Sequence, residues 1–270
     1  MNLIRKLLAS FLFVVFSSSI SANPNINPYS EVGLFGGVGY YLGDLNRNYF
    51  PLKIMQQAGG IFYRYTLNEH CAVRAFINYN EVKAYDVYSS NDFERERNLS
   101  FTSPIFEVGG QLEFNFYEFA LVKSVRRIAT PFVFGGINYF YFNPKAYNGS
   151  TFINLEPLQT EGVNYSLHQI AIPVGLGIKM KMGRFGFTAE WGIRKTFTDY
   201  IDDVSGNYAS PGTISTEAEQ MSNKTGIPLE KIAGKQRGDS TRKDLYVFTG
   251  LTISYKLSKE DHCPDFKSRK

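Results

Sequence analysis

The chain has 270 residues, 43% of them hydrophobic and 16% aromatic, and 29 Lys and Arg against 25 Asp and Glu give a formal charge of +4. Without Arg5 and Lys6 that charge falls to +2, too little to suggest a nucleic-acid binder. Beyond the first residues no stretch holds ~18 consecutive uncharged apolar residues, which excludes a helical membrane protein and leaves an exported soluble protein or an outer-membrane barrel.

Arg5 and Lys6 precede an apolar run from Leu7 to Phe16, followed by small residues from Ser17 to Ala22. This pattern predicts a signal peptide over residues 1–22, and no Cys follows the cleavage site to take a lipid. The mature barrel is expected over 23–257, with a polar periplasmic tail at 258–270.

Eight segments then alternate with a period of two: 30–41, 58–67, 71–79, 104–116, 131–142, 170–181, 185–196 and 245–256. A period of two predicts strands, and most are near the ~9–11 residues a tilted strand needs to cross a bilayer. Charges share one register: Glu31, Arg64, Arg74, Glu107, Glu113, Lys179, Lys181, Glu190, Arg194 and Lys256. The opposite register carries Val32, Leu34, Ile61, Val73, Ile77, Val108, Leu112, Val174, Leu176, Trp191, Ile193, Val247 and Leu251. Charges inside and apolar residues outside define a transmembrane β-barrel, here eight-stranded and antiparallel, with 18 Tyr and 23 Phe available for interfacial girdles. The fifth segment is apolar in both registers, so its facing is undecided.

Connections alternate in length. Asn68-Glu69-His70 and Met182-Gly183-Arg184 are tight turns, whereas 42–57, 80–103, 143–169 and 197–244 are long. In an outer-membrane barrel the short turns are periplasmic and the long loops extracellular. Residues 117–130 form a longer periplasmic connection.

An eight-stranded barrel is just wide enough for side chains to fill, so the inward acids and bases are expected to pair into a plug rather than line a pore. Glycine pairs at 36–37, 59–60, 109–110 and 135–136 suit a tightly curved wall around that crowded lumen. Cys71 and Cys263 can bridge each other or a partner in an exported compartment. His70, His168 and His262 show no metal-ligand spacing, and Asp199, Asp202 and Asp203 lack the spacing of a calcium loop. His168 lies two residues from Ser166 without a catalytic motif around it. Arg237-Gly238-Asp239 matches an adhesion tripeptide that chance produces often.

The blocks Glu31 to Gly37, Tyr41-Leu42-Gly43-Asp44-Leu45, Tyr63-Arg64-Tyr65, Asn98-Leu99-Ser100-Phe101 and Ile105-Phe106-Glu107 occur in order along the chain. Thr130 to Gly136, Phe142-Asn143-Pro144, Ile172-Pro173-Val174-Gly175 and Arg194 to Ser205 follow them. Together they resemble the PorG-like outer-membrane barrels of the type IX secretion and gliding system, grouped with a broader family of exported barrels of unknown function. The resemblance implies a non-catalytic, cofactor-free anchor in outer-membrane lipid that docks a periplasmic ring made of a lipoprotein and a soluble partner. Lys123, Arg126 and Arg127 in the inner connection, with Lys259, Cys263, Lys267, Arg269 and Lys270 in the tail, are the candidate contacts, since basic side chains suit acidic partner surfaces. The alternative is a surface-binding or adhesion barrel that acts through its long outer loops. The block from Thr198 to Ser205 is expected to fold back over the barrel mouth.

Overall fold

A computed structural model describes residues 26–48, 51–122 and 125–257. The segment expected to be a signal peptide and the tail after 257 lie outside the described residues. Ten strands form one antiparallel sheet: β1 (Tyr29–Leu42), β2 (Gln56–Thr66), β3 (Cys71–Tyr85), β4 (Ser100–Asn115), β5 (Ala129–Phe142), β6 (Lys145–Tyr147), β7 (Phe152–Asn154), β8 (His168–Met182), β9 (Phe185–Thr196) and β10 (Leu245–Lys256). Eight of them run β3-β2-β1-β10-β9-β8-β5-β4, and β3 pairs with β4 from Cys71↔Phe114 to Tyr85↔Ser100, which closes the barrel. Closure matters because every strand edge is then paired, the one sheet solution that leaves no bare backbone in a non-aqueous surround. The small β6–β7 hairpin, within a stretch the sequence reads as loop, hangs from the end of β4 through Thr102↔Lys145.

The alternation produces an inside-out protein. Leu34, Ile61, Val108, Leu112, Ile137, Leu176, Ile178 and Leu251 are all exposed on the outer wall. Over roughly ten residues of outward register in β5, at ~3.3 Å rise and ~40° tilt, the apolar band is about 25 Å tall. Aromatic rings bound it: Tyr63, Tyr65, Phe116, Tyr117, Phe185 and Tyr255 toward the short-turn end, and Tyr79, Phe106 and Tyr139 toward the long-loop end, all exposed. In water such a belt would be a large uncovered apolar surface of a kind soluble monomers avoid.

The fifth segment acquires a facing. Phe132, Phe134, Phe140 and Phe142 point inward and are buried, while Val133, Ile137 and Tyr139 face out. Inward rings fit because glycines stand opposite them. A β-carbon at Gly175 or Gly192 would collide with the Phe134 ring, and one at Gly33 with Phe62. Val247 keeps the outward register but is covered by its neighbours: it is buried with Tyr40 and Leu42, and Met55, Trp191, Ile193 and Leu245 pack against the group.

Candidate functional site

Near the short-turn end, the inward register brings charges from six strands into one layer. Glu113 on β4 is its hub, 2.8 Å from Arg64 Nε, 2.7 Å from Lys179 Nζ and 3.8 Å from Arg74 Nη1. Arg64 also reaches Glu31 at 3.0 Å, and Arg74 reaches Glu190 at 2.7 Å. Glu31 additionally accepts hydrogen bonds from Thr66 and Ser254. The Phe62 ring lies under both guanidiniums, 4.9 Å from Arg64 Cζ and 4.1 Å from Arg74 Cζ. Pairing of this kind is what makes buried charge tolerable, since each ion has lost its water.

A second layer lies nearer the long loops. Glu107 accepts from Asn78, Asn138, Arg194 and the Tyr246 hydroxyl, at 2.7 to 3.2 Å. Above it the lumen becomes an apolar core, with Val82, Ile105, Phe140, Phe142 and Phe248 from the strands meeting Leu45, Leu99, Ile201 and Val204 from the loops. Ion pairs and this core together extend across the lumen, as the narrow interior of an eight-stranded barrel allows.

Both mouths are sealed. At the short-turn mouth, parts of the inner connection on both sides of residues 123–124 tuck in: Phe119, Ala120, Leu121 and Val125 pack on Ile26 and Tyr29. Lys181, inward as read from the sequence, bonds to the carbonyls of Ala120, Val122 and Val125 rather than to a carboxylate. Tyr29 Oη accepts from the Leu121 N–H at 2.7 Å, and the Lys256 ammonium lies 4.9 Å from the Tyr29 ring. The outside of the connection is mixed, with the acid Glu118 and the apolar Ile128 exposed there as well. Arg126 and Arg127 are exposed, the latter over Tyr117 at 4.3 Å. Lys123, Lys259, Cys263, Lys267, Arg269 and Lys270 lie outside the described residues; Cys71 is a free, half-buried thiol.

The long-loop mouth carries an ordered cap with three short helices, α1 (Asp92–Arg97), α2 (Thr216–Ser222) and α3 (Leu229–Ile232). Arg97 bonds both Asp86 oxygens at 2.7 and 2.8 Å and donates to the carbonyls of Asp44 and Arg237. Arg237 pairs with Glu161 at 2.9 Å and bonds the carbonyls of Asp203 and Ser222. The Arg237-Gly238-Asp239 tripeptide therefore has its arginine buried inside the cap and unable to present itself to a receptor. Residues 198–205 fold over the mouth, with Asp199, Ile201, Asp202, Asp203 and Val204 buried. The Tyr41 hydroxyl lies 2.5 Å from Asp202 Oδ2 and 2.8 Å from Asp244 Oδ1 while accepting from Asp44 N–H. One hydroxyl hydrogen cannot serve two carboxylates at once. Burial, reinforced for each by neighbouring aspartates, pushes both carboxyls well above the usual range. The fold-back of 198–205 is as the sequence leads one to expect, but its partners stand up to 203 positions apart and are not signalled.

His168 stacks between Tyr139 and Tyr141, and its Nδ1 lies 2.7 Å from the Tyr139 hydroxyl. The Ser166 hydroxyl donates to the His168 carbonyl, so the two side chains form no nucleophile and base pair. Among the described residues no group of three or more His, Cys, Asp or Glu could hold a metal ion.

A search of curated proteins returns no match. Among solved structures, the barrel is similar to Neisserial surface protein A (8% identity, TM-score 0.44, covering 86% of this chain and 100% of that one). It is also similar to Ail, the attachment invasion locus protein of Yersinia pestis, solved with the heparin analogue sucrose octasulfate (8% identity, TM-score 0.42, 86% and 100%). A major outer membrane protein from Thermus thermophilus is a third likeness (12% identity, TM-score 0.42, 84% and 99%). The family model of a domain of unknown function, DUF6089, matches residues 5–216, and the chain belongs to that family.

Proposed function

We propose that this protein is a non-catalytic outer-membrane anchor. The barrel holds the lipid, the long loops face outward, and the short-turn face presents a docking platform to periplasmic proteins. The observation that carries the reading is the inner connection. Its apolar residues and Lys181 fix it inside the barrel mouth, while Arg126 and Arg127 are left outside on a rigid base. A preorganised basic platform suits an acidic protein partner, because little ordering remains to oppose binding. The sequence blocks shared with type IX secretion barrels point to the periplasmic ring of that system, a lipoprotein with a soluble partner, as the bound assembly.

The test is affinity purification from solubilised outer membranes, under reducing and non-reducing conditions, of the parent, Arg126→Glu/Arg127→Glu and Cys263→Ser. Ring proteins recovered with the parent and lost with the charge reversal support the reading. A barrel recovered alone overturns it. A second reading, surface binding through the outer loops, draws on the firmly braced cap and its exposed Leu52, Val87, Tyr88 and Phe93. Under that reading, shortening 206–236 abolishes function and the charge reversal leaves it intact.

A further inference from the structure

On one side the barrel wall continues past its outer girdle, and its outward register is graded. Tyr79 and Phe106 are paired in register with ring centroids 5.9 Å apart, and Phe106 is paired with Tyr141, which marks the girdle on β3, β4 and β5. Two rows further out, Lys83 faces Thr102, Thr102 faces Lys145 and Lys145 faces Asn154, a polar row across β3, β4, β6 and β7. One row beyond, Tyr85 on β3 and the paired Tyr147 and Phe152 on the hairpin form an aromatic row, and Tyr88 packs on Tyr85 at 5.6 Å. The alternate residues Val82, Ala84, Phe101, Ser103 and Ala146 are buried, which fixes the lysines and rings on the outer face. These rings are far from covered: Tyr85 is 38% exposed, Tyr147 51%, Tyr88 58% and Phe152 58%.

Height decides what such a face can meet. At ~3.3 Å per residue and ~40° tilt, the lysine row stands about 10 Å above the girdle and the aromatic row about 15 Å above it. A phospholipid headgroup zone is only about 5–8 Å deep per leaflet, so it ends below the rings. A lipid with phosphorylated sugars reaches both rows. Cations at this level meet phosphate, and amphipathic rings suit a surface that is part apolar and part wet, such as a sugar face. One carboxylate stands a row nearer the girdle: Glu81, paired with Pro104, lies 3.4 Å from Lys83 Nζ and accepts from Thr102 at 3.0 Å, so Lys145 supplies the uncompensated charge.

We infer that the outer face of β3, β4 and the β6–β7 hairpin above the girdle binds the headgroup of a phosphorylated glycolipid of the outer leaflet, with Lys83 and Lys145 on phosphate and Tyr85, Tyr88, Tyr147 and Phe152 against the sugars. The inference rests on the outer-membrane reading above.

The test places the full barrel in zwitterionic nanodiscs doped with a bisphosphorylated diglucosamine glycolipid, its dephosphorylated form, or phosphatidylglycerol, and measures bound lipid by native mass spectrometry. Lys83→Gln/Lys145→Gln is expected to weaken the phosphorylated glycolipid about 5-fold, as the one uncompensated cation at that level implies, and to spare the dephosphorylated form. Tyr85→Ser/Tyr147→Ser is expected to weaken both glycolipids and leave phosphatidylglycerol unchanged. Lys195→Gln, an outward lysine on the far wall, is the control expected to change nothing. Equal retention of glycolipid and phosphatidylglycerol by the parent, or indifference of the parent preference to both double variants, overturns the inference. A barrel that enters nanodiscs and fractionates with the outer membrane yet shows no preference leaves the membrane reading standing; failure to insert removes that reading itself.

Discussion

Glu113 is the side chain on which the lower charge layer turns, and Glu113→Gln isolates its contribution while keeping its shape. Glu31, Glu113 and Glu190 face Arg64, Arg74 and Lys179 in that layer; neutralising Glu113 leaves two carboxylates for three cations. Among the described residues Lys179 then keeps the Asn115 side-chain oxygen at 2.8 Å, a neutral acceptor. Stranding a buried ion by removing its partner costs about 3–5 kcal/mol. The double variant Glu113→Gln/Lys179→Met removes charge of both signs and is expected to recover at least ~1.5 kcal/mol of that loss, the signature of direct coupling. Urea unfolding from phospholipid vesicles reads both, with Trp191 as the single tryptophan reporter. An E113Q barrel within ~1 kcal/mol of the parent would refute the idea that this layer is a paired, water-poor plug.

Adjacent glycines on β1 should respond oppositely. A β-carbon at Gly37 would run into Thr249 O and Gly250 Cα, whereas Gly36 has open space outside, so Gly37→Val should cost ~2 kcal/mol or more and Gly36→Val little, judged by thermal midpoints in detergent. Arg97→Ala strands Asp86 and the carbonyls of Asp44 and Arg237, and should expose residues 197–244 to limited proteolysis while the barrel stays folded. The cap should also respond to pH. Burial raises Asp199 to about 6, more than Ser205 and Lys243 offset, and Asp202 and Asp244 rise as well. Raised folded values mean that their contribution is full below about pH 4 and is lost as pH climbs through 6 and beyond. Cleavage in the 197–244 loop should therefore quicken with pH, and Asp202→Asn should flatten that rise.

The wall was readable in the sequence because period-two alternation is local, and a charge in one register and a leucine in the other fix each strand's facing independently. Where the two registers were equally apolar, as at Phe132 to Phe142, no local signal existed; the facing is decided by glycines on other strands that leave room for rings. Gly175 and Gly192 were visible as glycines but not as the floor beneath Phe134. The cap was legible only in part. The block from Thr198 to Ser205 reads as folding back over the mouth, but its union with Arg97, Arg237, Asp44 and Asp244 comes only from the folded chain. Lys181 shows the limit of register reasoning, which gives the side of the wall and not the partner. Its register faces the lumen, but its three acceptors are backbone carbonyls of a connection whose fold the sequence does not announce.

Placement in the membrane is the claim on which the anchor reading rests, and site-directed labelling tests it most directly. In a Cys71→Ser/Cys263→Ser background, a membrane-impermeant maleimide is applied to intact cells carrying Ser210→Cys in the long-loop cap or Arg127→Cys on the inner connection; both positions are exposed. The account predicts that Ser210→Cys labels on intact cells and Arg127→Cys labels only after the outer membrane is permeabilised. Labelling of both positions on intact cells, or the reverse order, would contradict it.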